Sequence, residues 1–415
     1  MFPHSAYHQT VTEMHVGSNV DIEAIRTQRS VEFEIASPWK SMRFALVTSQ
    51  AFSVSNFRGS LITSLIAQGV EVFAIAPDFD ESTRASVRSL GAVPIDCFLS
   101  RTGMNPLLDI LSVIRLTALL RHLKVDVSLS YFIKPVIFAN LAASFAGVPK
   151  RFCMIEGLGY VYTPPAGHEP AQRKILRSVV SYLYKLSLRK AHRVFLLNDD
   201  DIAEMVGRDL VKPAQVVKLN GIGVDLAEWM PAPVAIKSIT FLIVARLLRE
   251  KGIFEYAAAA RIVKLKYPST RFVLLGGVDP NPGSLSAEEA SQWTKDGLLE
   301  WPGHVAVKPW LAQASVFVLP SYREGVPRST QEAMAMGRAV ITTDAPGCRD
   351  TVVEGLNGFL VPVRDSVALA DAMMRFIRKP ELIETMGKAS RALAVERFDV
   401  HKVNAVILAT MGISK

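Results

Sequence analysis

The chain has 415 residues, a formal net charge of +8, and a composition that is 49% hydrophobic and 21% charged. This length accommodates two or three domains with large apolar cores, and the charged fraction is typical of a soluble α/β protein. Three cysteines without a C-x-x-C pair exclude a disulfide framework and a cysteine zinc site, and they fit a reducing cytosol.

Residues 1–41 carry five acidic and three basic side chains and show little hydrophobic periodicity. They lack the apolar segment of a signal peptide, and we predict a poorly ordered tail here. The strand-like run MRFALVTS that follows makes Met42 a candidate for the true initiator. Further along, Asp109 and Arg115 interrupt the most apolar run before it reaches the roughly 18 residues that a bilayer crossing needs.

The first domain is predicted over 42–220, and it opens with a βαβ unit. Phe44–Thr48 and Val70–Ala76 have the apolar character of strands, and Leu61–Gln68 between them has that of a helix. The connecting loop lacks a G-x-G-x-x-G motif, which argues against a dinucleotide cofactor. The D-F-D sequence at Asp78 and Asp80 fits a solvated loop better than a metal site, so neither a metal nor a cofactor is predicted.

Three residues of the same loop are candidates for binding an anion. Asn56, Arg58 and Gly59 are predicted to lie just before the helix, where Gly59 allows a close backbone approach and Arg58 can meet a phosphate. The alternative is an ordinary helix cap with a surface arginine. Later in the domain, Lys134 and Glu156 follow two further predicted strands, and they would open onto the same cleft.

Positive charge is concentrated in the first domain. Residues 42–220 hold 21 basic and 14 acidic side chains, whereas residues 221–415 hold 23 and 20. This excess suits an anionic surface or an anionic acceptor, and no basic motif with interleaved aromatic residues points to nucleic acid. Ala171–Arg193 has seven basic residues, no acidic residue and apolar residues at helical spacing, as in a helix on an anionic lipid surface. A core-packed helix with solvated cations is the alternative.

The second domain is predicted over 221–397, and it begins with a glycine-rich turn before an apolar strand at Ile239–Ala245. Arg246 follows this strand directly, and Lys251 comes five residues later, before a helix. Two cations at the end of a strand form a phosphate clamp in electrostatic terms, although a plain polar loop fits the same spacing. The next strand, Arg271–Leu275, runs into Gly276.

An acid, a turn, a helix start and a second acid follow one another within residues 321–337. Glu324 comes after the apolar strand Val316–Pro320, at the edge where open α/β sheets bind ligands. The helix is predicted to be capped by Ser329 and to end at Gly337. Its first backbone N–H groups favour an anion, and Glu332 on its second turn would face the same crevice as Glu324. The alternative is two unrelated carboxylates, one in a turn and one on a helix surface.

The pattern E-G-x-P-x-x-x-x-E-A-x-A-x-G over 324–337 resembles the signature of retaining glycosyltransferases of family four (group 1), which have the two-domain GT-B architecture. In the first domain, Y-x-I-K-P-x-I-x-x-N-L-A-A, E-G-L-G-Y-V-Y and L-Y-K-L-S-L-R-K-A-H are similar to the subgroup that extends sugars on undecaprenyl diphosphate. The resemblance runs from Met42 to the C-terminus. It departs from many members at Tyr131, Phe132 and Ile133, which leave no histidine there to handle the acceptor.

The resemblance implies a fold and a set of roles. The fold is two Rossmann-like, doubly wound α/β domains facing across a cleft, with a last helix within 398–415 crossing back to the first domain. Catalysis would fall to Glu324, which would hold sugar hydroxyls, and to Arg246 and Lys251, which would hold the donor diphosphate. The donor-binding set is Gly276, Val305, Gly325, Val326, Arg328, Ser329, Thr330 and Glu332, with Glu332 on the ribose; the acceptor-binding set is Asn56, Arg58, Gly59, Lys134 and Glu156.

The implied function is retaining, metal-independent transfer of a sugar from a nucleotide-diphosphate sugar, a UDP-sugar being favoured, to a polyprenyl-diphosphate-linked saccharide. The enzyme would be cytoplasmic and peripheral on the inner face of the cell membrane, in polysaccharide or glycan assembly. Two alternatives stay open: the same donor chemistry on a soluble acceptor, and a non-catalytic regulator that binds the sugar nucleotide. The joint presence of Arg246, Lys251, Glu324 and Glu332 disfavours the regulator.

Overall fold

The computed structural model describes residues 42–99, 105–163, 167, 169–234, 236, 238–279 and 284–413. The tail predicted over 1–41 lies outside these residues. Within them, strands and helices alternate as the apolar runs predict, and they build two parallel sheets. None of the helices in these ranges is both long enough and apolar enough to cross a membrane.

The first sheet has seven parallel strands in the order β3-β2-β1-β4-β5-β6-β7. The strands are β1 (Arg43–Val47), β2 (Glu71–Ala76), β3 (Val93–Asp96), β4 (Val127–Tyr131), β5 (Lys150–Ile155), β6 (Arg193–Leu196) and β7 (Val216–Lys218). Their central strands are buried on both faces, as near-continuous apolar runs require. The strand order reverses between β1 and β4, which opens a crevice at the carboxyl ends of these strands.

Helices cover both faces of this sheet. They are α1 (Phe52–Ala67), α2 (Glu81–Ser89), α3 (Pro106–His122), α4 (Asn140–Ala146), α5 (Ala171–Leu188) and α6 (Asp199–Gly207). A π-helical turn at Pro135–Ala139 leads into α4. In α5, Tyr184 and Leu188 are fully buried while Ile175 and Val179 are exposed, so one face of this helix packs on the core and another faces solvent.

The second sheet has six parallel strands in the order β10-β9-β8-β11-β12-β13. The strands are β8 (Thr240–Val244), β9 (Arg271–Leu275), β10 (Glu300–Gly303), β11 (Val316–Leu319), β12 (Ala339–Thr343) and β13 (Gly358–Val361). The helices are α7 (Ile253–Lys266), α8 (Ala287–Lys295), α9 (Lys308–Gln313), α10 (Arg328–Ala335), α11 (Ser366–Arg378) and α12 (Glu381–Arg397). The order reverses between β8 and β11, so this sheet also has a crevice at its carboxyl edge.

The last helix, α13 (Val400–Met411), returns to the first domain. Asn404 Nδ2 lies 3.1 Å from Ser60 Oγ on α1, and Lys150 Nζ donates to the Met411 carbonyl at 3.3 Å. The prediction of two doubly wound α/β domains with a returning helix is therefore confirmed. The limits 42–220, 221–397 and 398–415 stay predictions.

Two predicted helix boundaries were wrong. Helix α1 begins at Phe52 rather than Leu61, so Asn56, Arg58 and Gly59 lie inside it and not before it. The start carries no side-chain cap that the sequence could reveal; instead, the Ala51 N–H donates to Asp78 Oδ1 at 2.6 Å, a contact that only the folded sheet provides.

The second wrong boundary is in the other domain. Helix α10 begins at Arg328 with Pro327 at its N-cap, so Ser329 lies in the first turn and caps nothing. Proline is tolerated at this N-cap because it has no N–H to leave unsatisfied at the helix start and its fixed φ, here −67°, fits extended backbone. The N–H groups of the first turn therefore have no side-chain acceptor at the cap.

Candidate functional site

The centre of the site is a pair of opposite charges at the carboxyl edge of the second sheet. Lys251 Nζ donates to Glu324 Oε1 at 2.6 Å, and both side chains are largely buried. Glu324 is on the loop after β11, and Lys251 is on the loop after β8, the neighbouring strand. Gly252 permits this closeness, since its φ is +70° and a Cβ there would lie 2.1 Å from the Pro320 carbonyl oxygen.

Arg246 lies at the same edge, directly after β8. Its Nη1 donates to Asp279 Oδ2 at 2.6 Å, with the arginine half exposed and the aspartate almost fully buried. Gly276 brings the ends of β8 and β9 together, because its φ is +150° and a Cβ there would lie 1.8 Å from the Ala245 carbonyl oxygen. Asp279 fixes the direction of the guanidinium. Sequence reasoning missed Asp279, because nothing in the local sequence distinguishes it from any polar residue of a loop.

The loop after β11 touches the first domain. A Cβ at Gly325 would lie 2.0 Å from the Glu156 carbonyl oxygen, and a Cβ at Gly157 would lie 2.9 Å from the Gly325 nitrogen. Asn198 Nδ2 also donates to the Gly325 carbonyl at 2.6 Å, from the N-cap of α6. Gly325 therefore serves a backbone contact between the two domains, beside Glu324 on one side and Glu156 on the other. Sequence reasoning missed Asn198, which carries only the signal of a helix cap.

Helix α10 carries the second predicted carboxylate. Glu332 Oε1 accepts from Arg328 Nε at 2.7 Å, and the Arg328 guanidinium lies 5.0 Å from the centre of the Phe57 ring and donates to the Asn56 carbonyl. Burial raises the pKa of Glu332 above its usual range, and Arg328 opposes that rise. Thr330 Oγ1 is buried with no hydrogen-bond partner among the described residues.

The rest of the predicted donor set lies around this helix and edge. Val326 is buried, Ser329 is half-buried in the first turn of α10, and Val305 is half-buried after β10. The structure therefore gathers Glu324, Gly325, Val326 and the start of α10 in one loop and helix. Val305 belongs to the segment after β10, at the far edge of the same sheet.

The predicted acceptor residues fall into two groups. Lys134 and Glu156 reach the cleft, and Lys134 Nζ donates to Asp109 Oδ1 at 2.8 Å. Arg58 does not reach it: the side chain is 2% exposed, lies 4.8 Å from the centre of the Tyr131 ring, and forms an ion pair with Glu156. Burial lowers the pKa of Arg58 to about 10, so it remains charged at neutral pH.

The remaining two acceptor residues of α1 have local contacts. Asn56 is exposed, and its side chain donates to the Phe52 carbonyl at 2.8 Å. Gly59 is buried facing Leu90, where a Cβ would meet a side-chain carbon at an ordinary 3.6 Å. The proposed close backbone approach at Gly59 is therefore not what this position provides, because α1 runs straight through it.

A cavity of about 1940 Å³ joins the two domains at this site. Its wall includes Arg246, Asp279 and His304 from the second domain and Lys134 and Glu156 from the first. The Arg246–Asp279 pair of the second domain and Lys134 and Glu156 of the first thus line one space. Such a space can hold an anionic diphosphate on one side and a hydroxyl-bearing substrate on the other.

Two Rossmann-like domains with a site between their carboxyl edges define the GT-B class of proteins. Among solved structures, Anabaena HepE in complex with UDP and glucose matches with a TM-score of 0.71 at 16% identity, over 89% of this chain and 99% of that one. Sucrose-phosphate synthase from Thermosynechococcus elongatus matches with a TM-score of 0.70 at 20% identity, over 88% and 97%. At these identities the likeness shows the fold alone.

Residues 238–379 match the family model described as "Glycosyl transferases group 1". N,N'-diacetylbacillosaminyl-diphospho-undecaprenol alpha-1,3-N-acetylgalactosaminyltransferase of Campylobacter jejuni is 29% identical over 84% of this chain and 92% of its own length. UDP-Gal:alpha-D-GlcNAc-diphosphoundecaprenol alpha-1,3-galactosyltransferase of Escherichia coli is 26% identical over 71% and 77%. The chain has the GT-B fold, and its residues 238–379 match group 1 glycosyltransferases, so the prediction of a glycosyltransferase is confirmed.

Proposed function

We propose that this enzyme is a retaining, metal-independent glycosyltransferase that moves a sugar from a UDP-sugar to a saccharide carried on polyprenyl diphosphate. The observation that carries the proposal is the arrangement at the carboxyl edge of β8 and β11. There, Lys251 and Glu324 are paired at 2.6 Å, Arg246 lies nearby, and the Glu156 loop of the first domain is in contact.

The donor diphosphate would bind between Arg246, Lys251 and the first turn of α10. When the bond from the sugar to the diphosphate breaks, negative charge grows on the leaving oxygen, and fixed positive groups stabilise it. A cation about 4 Å from that oxygen contributes on the order of 4 kcal/mol at an effective dielectric constant of about 20. These residues supply positive charge of the kind that a divalent ion would otherwise provide.

Glu324 and Glu332 would hold the two sugars of the donor. Glu324 would accept from hydroxyls of the transferred sugar and stabilise the positive charge that develops at its anomeric carbon. Glu332 would accept from the ribose hydroxyls in its ionised form. The acceptor oxygen then bonds to the anomeric carbon on the face that the diphosphate leaves, and its proton passes to a leaving-phosphate oxygen, so the configuration is retained.

The acceptor assignment has support from the relatives and from charge. Both relatives have names that specify an undecaprenyl-diphosphate-linked acceptor and an α linkage, and one specifies UDP-Gal as donor. The first domain holds an excess of seven positive charges over 42–220, which suits a diphosphate-bearing acceptor. The enzyme would lie on the inner face of the cell membrane, in contact with anionic lipid. That location is supported by the lipid-linked acceptor and by the exposed apolar and basic residues of α5.

The test of function is transfer, without added metal, from a panel of UDP- and GDP-sugars to a short-chain polyprenyl-diphosphate saccharide. Mass spectrometry of the lipid gives the sugar that is added. We expect one UDP-sugar to be transferred. Donor hydrolysis with no extension of the lipid would point to a soluble acceptor, and failure of every donor to bind would overturn the site built on Glu324 and Glu332.

Membrane contact has a separate test, which is co-sedimentation with vesicles that contain or lack anionic lipid. We expect binding to anionic vesicles at low salt and its loss at high salt, since exposed charges are screened. Equal sedimentation with neutral and anionic vesicles would contradict the membrane part of the proposal and leave the donor chemistry standing.

A further inference from the structure

The cavity at the active site continues into the first domain as a trough between helices. Its walls are one stripe of α3, one of α5, and the segment from the π-helical turn into α4. The α3 stripe recurs at helical spacing, and it consists of Pro106, Asp109, Ile110, Val113, Ile114, Thr117, Ala118 and Arg121. The α5 stripe is Leu176, Val179, Val180, Leu183, Tyr184 and Leu186.

The trough is apolar at both floor and rim. Ile137 and Leu141 form a buried floor, whereas Ile110 and Ile114 on α3 are 57% and 60% exposed and Phe145 on α4 is 59% exposed. An apolar helix stripe normally packs against another element of the fold. Here three such faces surround an open space, and contiguous exposed apolar surface of this kind marks a binding groove.

Charged residues lie at the ends of the trough and the wall between them is largely apolar, which restricts what it can hold. At the active-site end lie the Lys134–Asp109 ion pair and Glu156, with Arg246 and Asp279 across the cleft. From Asp109, the α3 stripe runs for 12 residues, or about 18 Å, to Arg121. Between these points its lining residues are Ile110, Val113, Ile114, Thr117 and Ala118. A matching occupant has a charged, polar head and a long apolar tail.

We propose that this trough binds the first isoprene units of the acceptor's polyprenyl chain. The inference rests on the proposed function, and it names how the lipid half of that acceptor is held. The diphosphate would lie near Lys134, the saccharide would point toward Arg246 and Glu156, and the isoprenoid would follow the α3 and α5 stripes. The protein, and not only the bilayer, would then contribute to recognition of the lipid.

The first experiment is photo-crosslinking, which needs no turnover. A farnesyl diphosphate analogue with a benzophenone on its terminal isoprene is irradiated with the full chain in the absence of vesicles, and the adducts are mapped by mass spectrometry. We expect adducts on α3, α4 and α5 that unlabelled farnesyl diphosphate suppresses. Adducts confined to other surfaces, or no adducts that the competitor suppresses, would overturn the trough proposal even for an active transferase.

The second experiment compares Ile114→Asp with Leu265→Asp. Both positions are exposed aliphatic side chains on helices, but Leu265 is on α7 of the second domain, outside the trough. With a farnesyl-linked acceptor and no vesicles, Ile114→Asp should raise the acceptor KM about tenfold with kcat unchanged, because a carboxylate would have to lose water beside the chain. Leu265→Asp should leave both constants unchanged, and the conservative variant Ile114→Leu should keep the wild-type KM.

Acceptors with different lipid tails test the trough proposal separately from the proposed function. With an acceptor whose lipid is replaced by a methyl group, the wild type and Ile114→Asp should have the same KM. If farnesyl and methyl acceptors have equal KM values in the wild type, the trough does not bind the chain, although sugar transfer to either one keeps the proposed function. If Ile114→Asp and Leu265→Asp weaken the farnesyl acceptor equally, the trough proposal is also wrong.

Discussion

Two carboxylates lie on opposite sides of the cleft, and each is paired with a cation in a different way. Glu156 of the first domain is paired with Arg58, which is 2% exposed and packs on Tyr131. Glu324 of the second domain is paired with Lys251 at 2.6 Å, and both of these side chains keep some contact with solvent. An arginine as deeply buried as Arg58 can only position its carboxylate, whereas Lys251, which is 19% exposed, can also bind an incoming phosphate.

This difference indicates that the two domains have different roles in the site. The first domain supplies Glu156, which is paired with the buried Arg58, and an apolar trough that leads away from it. In the proposed function, the second supplies charges that exchange partners when a donor binds. Both loops meet at Gly325, where any side chain would clash with the Glu156 carbonyl oxygen. The predictions below change one side of the comparison at a time.

The largest effect should come from Arg58→Met, which removes the buried cation. Loss of one partner leaves Glu156 without compensation, and for buried ion pairs this costs about 3–5 kcal/mol in the free energy of unfolding. Chemical denaturation measures the change. The double variant Arg58→Met/Glu156→Gln should recover part of the loss, because no charge is then left unpaired. An Arg58→Met protein as stable as the wild type would show that this ion pair contributes nothing to the free energy of unfolding.

The next largest effect should come from Glu324→Gln, which changes the carboxylate of the second domain. Removing the negative charge should lower kcat by about 10²–10³, the range for loss of one group that stabilises transition-state charge, while the glutamine amide oxygen can still accept from the sugar hydroxyls. Donor affinity should change little, as measured by calorimetry. Gln313→Ala changes an exposed side chain on α9, and it is the control for effects of substitution and purification on activity. Unchanged turnover in Glu324→Gln would remove Glu324 from the mechanism.

Gly325→Ala tests the contact between the two sides. Its Cβ would lie 2.0 Å from the Glu156 carbonyl oxygen, so the two loops must move apart. A displacement of about 1 Å at reacting groups can cost about 10²-fold in rate, and we expect a loss of up to that size. Gly207→Ala is the matched control, because a Cβ there meets nothing within 4 Å. Equal activity of the two variants would show that the loops move freely.

The smallest effect concerns the pH dependence of donor binding. Burial raises the pKa of Glu332, so on acidification this carboxylate takes up its proton at a higher pH than an ordinary glutamate does. In the proposed function the ionised form accepts from the ribose hydroxyls, and donor affinity should therefore fall as pH drops through that raised pKa. Calorimetric titration at several pH values measures it. In Glu332→Gln the affinity should be lower at neutral pH and should lose this dependence.

Part of this protein follows from local patterns in its sequence. The alternation of apolar strands and helices predicts two parallel sheets, because buried strands are near-continuous apolar runs and the helices between them need an apolar face. Arg246, Lys251 and Glu324 each follow a predicted strand directly or within a few residues. Since the carboxyl ends of parallel strands share one edge, these residues are expected at one edge of the sheet, and the resemblance to family-four glycosyltransferases favoured a shared site over plain polar loops.

Only the tertiary structure decided the rest, because the partners are far apart in the chain. The start of α1 depends on Asp78, which reaches back from the end of β2, and no capping residue marks it. The burial of Arg58 depends on Tyr131 from β4 and on Glu156 from the loop after β5. The trough is formed by three helices whose apolar stripes each predict a packed core. Whether such stripes pack on one another or surround an open space is set by the distances between helices, which no local pattern contains.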